Sequence, residues 1–198
     1  MKNIPDETNL VPLQRLGAIQ SETNFKSPLG DLGANRVNVV RREDLQFLPI
    51  SINVTNKKIL MVGGGKVATH KGSIMARFVQ NVTVISPEFT DEIKQLPFSF
   101  IQKEYEKGDL EGYFLVYVVT GNHELNAQIK ADAEELGILT SVCDAPLLCD
   151  FVSPAIHKED NVTISVGTNA RDAFQAVYIR NQITELVKNG TIQINKPA

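Results

Sequence analysis

Residues 58–68 read Lys-Ile-Leu-Met-Val-Gly-Gly-Gly-Lys-Val-Ala, a short apolar run that passes straight into a glycine-rich turn and then into a segment able to form a helix. The glycines form the pattern Gly63-x-Gly65-x-x-Ala68. Gly63 allows a tight turn after a strand, Gly65 lets backbone approach a ligand with no Cβ in the way, and Ala68 lets the helix pack closely on the sheet. A helix starting there presents free N–H groups and the positive end of its dipole, a site for negative charge. In this strand–turn–helix setting the pattern points to the pyrophosphate of a dinucleotide. Steric demand alone also places glycines between strands and helices, so the other elements must carry part of the argument.

Those elements alternate. Strands are expected at Ile59–Val62, Val82–Ile85, Phe98–Gln102, Phe114–Val119 and Ile138–Val142. A helix is expected from Val67 to about Val79, with Ile74, Met75, Phe78 and Val79 on one side. A second, from Leu125 to Leu136, has Leu125, Ile129, Ala133 and Leu136 in register and Gly137 to stop it. The unbroken run Phe114-Leu-Val-Tyr-Val-Val119 suits a strand covered on both faces. Consecutive β–α–β units with short connections predict an α/β fold, a Rossmann-type parallel sheet with helices on both faces, spanning residues 47–149. Ile50, Ile52 and Val54 alternate as in a further strand.

The last part, 150–198, changes character. Phe151–His157 and Val162–Val166 read as an antiparallel hairpin joined by the four polar residues Lys158–Asn161, followed by a helix from Arg171 to about Lys188. A hairpin and one helix cannot bury a core alone. They are expected to pack on a second copy of themselves, giving a homodimer.

Composition excludes other classes. The 198 residues are 42% apolar with a formal charge of −3, and no Lys/Arg block gives the footprint of a nucleic-acid binder. No apolar run of 18 residues or charged-then-apolar leader is present, so neither membrane contact nor secretion is expected and the cytoplasm is the expected location. Cys143 and Cys149 have neither zinc nor CxxC redox spacing and are expected to be reduced. Residues 1–46, rich in Asn, Ser, Gly and Pro, read as a poorly ordered extension.

Several motifs in order resemble a known family. Leu48-Pro-Ile, the Gly-Gly-Gly-x-Val-Ala turn with Lys71 one helical turn on, Thr120-Gly-Asn-His-Glu-Leu-Asn126, Val142-Cys-Asp-Ala-Pro146 and Cys149-Asp-Phe-Val-Ser-Pro-Ala-Ile156 are similar to the dehydrogenase/chelatase module of siroheme synthases. The resemblance runs from about residue 47 to 188. It implies NAD-dependent oxidation of precorrin-2 to sirohydrochlorin, with insertion of Fe2+ or Co2+ in some members, and a Rossmann domain followed by a dimerisation segment. Longer members continue into a further helical region or a methyltransferase domain. The sequence ends at Ala198, which makes a short form with oxidation better supported than metal insertion.

The resemblance and the fold together assign candidate residues. Asp144, after a buried strand at the carboxyl end of the sheet, matches the family's catalytic aspartate and can take the proton that leaves the macrocycle; Asp-x-Pro is equally good turn chemistry. Asp150 is a weaker second candidate, or a cap. Gly63, Gly64, Gly65, Lys66 and Val67 form the phosphate turn, Pro87 and Glu88 border the adenosine ribose, and Thr120 borders the cofactor or is a simple turn residue. The strand before Pro87 ends in Ser86 rather than an acid and Glu88 comes two positions late, while no Arg is there to meet a 2′-phosphate; NAD is therefore expected over NADP. The polycarboxylate substrate calls for cations and donors, which Thr168, Asn169 and Arg171 can supply, with Arg180 further along the last helix. Where the family has Gly-Gly-x-Ser-Pro, this sequence has Gly167-Thr-Asn-Ala-Arg-Asp-Ala173, which removes the freedom of paired glycines. His70, His123 and His157 share no spacing with other ligand types, so no preformed metal site is expected and all three read as surface residues. A short-chain oxidoreductase is disfavoured, since no Tyr has a Lys four residues later. A non-catalytic NAD-binding module remains the alternative.

Overall fold

The computed structural model describes residues 40–194. Its centre is a five-stranded parallel sheet in the order β3-β2-β1-β4-β5. The strands are β1 (Ile59–Val62), β2 (Val82–Ser86), β3 (Ser99–Gln102), β4 (Leu115–Val118) and β5 (Leu139–Val142). Helices α1 (Lys66–Met75) and α2 (His123–Glu135) follow β1 and β4, and 3-10 turns at Ile93–Gln95 and Lys107–Leu110 serve the β2–β3 and β3–β4 connections. The chain leaves β1 toward β2 and β3, then returns to place β4 and β5 on the other side, so the order reverses between β1 and β4.

Period-two alternation divides the sheet's side chains between two cores. Leu60 and Val62 join Ile85, Val116, Val118, Ile129 and Ala133 on the α2 face. Ile59 and Met61 join Ala68, Met75, Val82, Val84 and Ile93 on the α1 face. All four residues of β1 are buried, which explains its unbroken apolar run. Each such side chain contributes roughly 1.5–3 kcal/mol by leaving water.

The second unit of structure is the antiparallel hairpin β6 (Ala155–Glu159) and β7 (Val162–Val166), followed by α3 (Ala173–Lys188). Three expectations are corrected. Ile50–Val54 forms no strand: Leu48 and Ile50 are 80% and 67% exposed, and among the described residues no neighbouring strand meets the segment. Alternation there is real, but without a ladder partner it gives only extended chain, in which Val54 alone reaches the core. The hairpin begins after Pro154, which has no N–H for a ladder, and Glu159 pairs with Val162, leaving Asp160-Asn161 as the turn instead of four residues. Asp160 accepts the left-handed φ of 48° that so tight a turn requires. Finally, residues 40–46 are not irregular throughout, for they hold a 3-10 turn at Arg42–Asp44. The rest of the expected extension, 1–39, lies outside the described residues.

Candidate functional site

The glycine turn sits at the carboxyl end of β1, beside the point where the strand order reverses, where ligands collect in open α/β sheets. Gly63 has φ +118°, and a Cβ there would come 2.4 Å from the Val119 carbonyl oxygen. A Cβ on Gly64 would meet the Glu88 carbonyl oxygen at 2.3 Å. Gly65 has nothing within 4 Å of its would-be Cβ. Two glycines thus let the turn nest between the β2 and β4 loops, and the third faces open space.

Helix capping marks this turn as the ligand end. In α2, Asn122 accepts from Glu124 N–H and Leu125 N–H, and in α3, Asp172 accepts from Gln175 N–H. Gly65, the N-cap of α1, offers no side chain, and the first turn of α1 carries no acid. Its leading N–H groups are therefore left for an anion, as a pyrophosphate site requires.

The cleft over this helix start has a volume of about 400 Å³, within the usual range for small-molecule sites. Gly63, Gly64, Gly65, Pro87, Glu88 and Thr120 all line it. Lys66 and Val67 do not; they stand exposed on the first turn of α1. The loop after β3, Lys103–Tyr105, lines it as well, a contribution that no motif announced. Thr120 is held by Asn126, whose Nδ2 donates to the Thr120 carbonyl at 3.2 Å while its Oδ1 accepts from the hydroxyl. Asn126 is only 2% exposed, so this clamp on the β4 turn is a positioning role that the sequence reading missed.

Asp144 stands outside the cleft lining, exposed in the turn after β5, with β4 between it and the glycine turn. Its φ of 65° is left-handed, a conformation an Asp tolerates at a cost. Next to it, burial pushes the Cys143 thiol up to about 11, against the pull of the Lys71 ammonium, which reaches it from α1. Lys71 thus brings a cation to the Asp144 end of the sheet, a placement that its position in a motif did not reveal. Cys143 and Cys149 are both free thiols.

Asp150 has a structural post. Its Oδ1 accepts from Lys130 Nζ at 2.7 Å and its Oδ2 from Thr140 N–H at 2.9 Å. The 168–172 turn is likewise engaged. Thr168 Oγ1 donates to the Asp172 carbonyl at 2.7 Å, Asn169 Oδ1 accepts from Phe47 N–H at 3.1 Å, and Arg171 Nη2 donates to the Glu43 carbonyl at 2.7 Å. The turn takes left-handed backbone without paired glycines: Asn169 and Ala170 have φ of 50° and 57°. Arg180 Nη1 donates to the Ile156 carbonyl at 3.0 Å.

His70 is exposed on α1 and His123 opens α2. His157 is not a surface residue: its side chain is 11% exposed, Nδ1 lies 3.0 Å from Thr184 Oγ1, and Nε2 is buried without a hydrogen-bond partner among the described residues. Among the described residues no group of three or more His, Cys, Asp or Glu could hold a metal ion, and no helix is long and apolar enough to cross a membrane.

A sequence family described as "Putative NAD(P)-binding" matches residues 50–155, more than half of the chain. The siroheme synthase of Psychrobacter sp. (strain PRwf-1) is 32% identical over 158 residues, covering 78% of this chain and 32% of the relative. That of Ectopseudomonas mendocina (strain ymp) is 32% identical over 141 residues, 70% of this chain and 30% of the relative. The chain belongs to this putative NAD(P)-binding family. It spans about a third of the length of these siroheme synthases. The solved structure of SirC, precorrin-2 dehydrogenase, superposes with a TM-score of 0.62 over 70% of each chain at 17% identity, a shared fold. The family's nicotinamide cofactor fits the open space at Gly65 and the uncapped start of α1.

Proposed function

We propose that this chain binds NAD over Gly63–Gly65 and oxidises precorrin-2 to sirohydrochlorin, with Asp144 taking the proton. One observation carries the reading. The uncapped helix start and the left-handed bend at Asp144 open at the same end of the sheet on either side of β4, two strand spacings or about 10 Å apart.

In such a fold the ribose contact falls at the end of β2, which would put the adenosine toward β2 and the nicotinamide toward β4 and β5. When bound, the nicotinamide supplies the acceptor for the hydride removed from a macrocycle carbon. Asp144 receives the proton that leaves the ring, so the products are sirohydrochlorin, NADH and one proton. The α1 N–H groups hold the pyrophosphate, and Asn126 fixes the Thr120 turn beneath the cofactor. Lys71 places positive charge at the Asp144 end of the sheet, where it attracts the acidic arms of the substrate. Arg171 uses one of its five N–H donors on Glu43 and keeps others for those arms, with Thr168 and Asn169 beside it.

NAD rather than NADP is the cofactor of this reading, given Glu88 in the lining and no Arg there. The protein works as a cytoplasmic homodimer in which α3 packs on its counterpart, for Phe174 and Tyr178, four residues apart on that helix, are 76% and 66% exposed. Residues 47–149 form the cofactor part and 150–198 the dimerisation part.

The test is anaerobic incubation with precorrin-2 and NAD, following NADH and the pigment spectrum, then adding ferrous iron or cobalt to detect metal insertion. Wild type forms NADH. Asp144→Ala loses at least ~100-fold in rate with NAD affinity nearly intact. A wild type that binds NAD but forms no NADH leaves a non-catalytic dinucleotide-binding module.

A further inference from the structure

The usual acid at the end of the second strand is replaced by Ser86, so another group must meet the adenosine end of the cofactor. The loop after β3 supplies candidates from a strand further out, since Lys103, Glu104 and Tyr105 line the cleft beside Pro87 and Glu88. This loop is pinned on both flanks of Glu104. Before it, Gln102 Nε2 donates to the Pro87 carbonyl at 3.0 Å and Lys103 N–H to the Ser86 carbonyl at 3.2 Å. After it, the Tyr105 hydroxyl donates to Asp132 Oδ2 at 3.0 Å.

Charge then separates the lining residues. Lys103 Nζ is held by Glu106 and Asp109, each at 3.0 Å, so its cation is already answered on the protein. The Glu88 and Glu104 side chains have no hydrogen bond or ion pair among the described residues. The β2–β3 end of the cleft therefore carries two unanswered carboxylates. Glu88 sits on the loop packed over Gly64; Glu104 stands alone between two anchored neighbours.

We infer that Glu104 is a specificity-determining residue, accepting hydrogen bonds from the adenosine half of the dinucleotide and repelling a 2′-phosphate. The inference rests on the dinucleotide-binding reading above and deepens it. A carboxylate accepts from ribose hydroxyls or the adenine amino group, whereas a 2′-phosphate brings about −1.5 to −2 charges toward two acids. Because the anchored loop needs little ordering on binding, the contact loses little to entropy.

Calorimetric titration of the whole chain with NAD, NADP and ADP-ribose at one ionic strength tests this, with a thermal melt as the control for folding. Wild type binds NAD and ADP-ribose well and NADP poorly. Glu104→Gln weakens NAD and ADP-ribose about tenfold, the effect of losing one hydrogen bond to a charged group, with no comparable loss for NADP. Glu104→Lys reverses the preference toward NADP. If wild type binds NAD while both variants keep its NAD-to-NADP ratio within about twofold, Glu104 has no such role and the cofactor reading survives. A wild type that prefers NADP also overturns the inference. If wild type binds none of the three, the dinucleotide reading falls with it.

Discussion

Asp150→Ala separates a structural acid from the proposed catalytic one, because the two candidates lie six residues apart in opposite situations. Asp150 joins the Lys130 ammonium to the Thr140 N–H. The Lys130 side chain is only 9% exposed; burial works against its charge, and hydrogen bonds to Asp150 and Glu134 overcome this and hold its pKa above the ordinary value. Thr140 is fully buried. Removing the Asp150 carboxylate leaves that N–H without its acceptor, about 1–3 kcal/mol. It also leaves a nearly buried ammonium with Glu134 alone, which is 65% exposed. Breaking a buried pair costs about 3–5 kcal/mol, discounted here to roughly 1–2 because the Asp150 side chain is 32% exposed and Glu134 remains. The sum is about 3 kcal/mol, a fall in Tm of roughly 6–12 °C for a domain of this size. Urea unfolding followed by circular dichroism measures it, with an unchanged slope as the sign of an intact folded state. A loss below about 1 kcal/mol would refute the reasoning. So would a coupling energy near zero in the Lys130→Ala, Asp150→Ala double-mutant cycle.

Other positions respond in different directions. Ala170, at φ 57°, carries a left-handed conformation that costs a residue with a Cβ about 1–2 kcal/mol, so Ala170→Gly raises stability by roughly 0.5–1 kcal/mol in the same urea experiment once the flexibility of glycine in the unfolded chain is subtracted. The Cys143 thiol is raised by burial from 9.0 to about 11. A group raised on folding contributes stability below its unfolded value and loses it as pH climbs through the folded one, so stability falls between about pH 9 and 11. Cys143→Ser flattens that fall in a series of melts, and an equal slope in the variant assigns it elsewhere. On the proposed dimer, Phe174→Lys shifts the sedimenting species toward monomer while NAD affinity holds, and a wild type that sediments as a monomer overturns the dimer proposal.

What the sequence made legible depended on where each residue's partners lie. The run Ile59–Val62 and the glycine turn were readable because burial on two faces and the steric needs of a tight turn are local demands. The alternation at Ile50, Ile52 and Val54 is the same local signal, yet it produced no strand, since a ladder needs a neighbour that sequence spacing does not reveal. Thr168, Asn169 and Arg171 read as donors for a substrate, but the ties of Asn169 and Arg171 to Phe47 and Glu43, more than a hundred positions away, were not legible. Asp150 followed a cysteine much as Asp144 did, and only the arrival of Lys130 from α2 separated them. Glu104 belonged to no motif, since its place comes from the stitching of β3 to the β2 loop. His157 looked like the end of a strand because the hairpin turn is two residues shorter than its polar stretch.

A structure of the chain with NAD bound puts the whole account at risk in one map. The phosphates should rest on the first N–H groups of α1 over Gly65, the adenosine beside Glu104, and the nicotinamide should lie beyond β4, toward Asp144. A dinucleotide bound in reverse, with its nicotinamide among the acids of the β2 and β3 loops, or one that leaves the glycine turn empty, would contradict it.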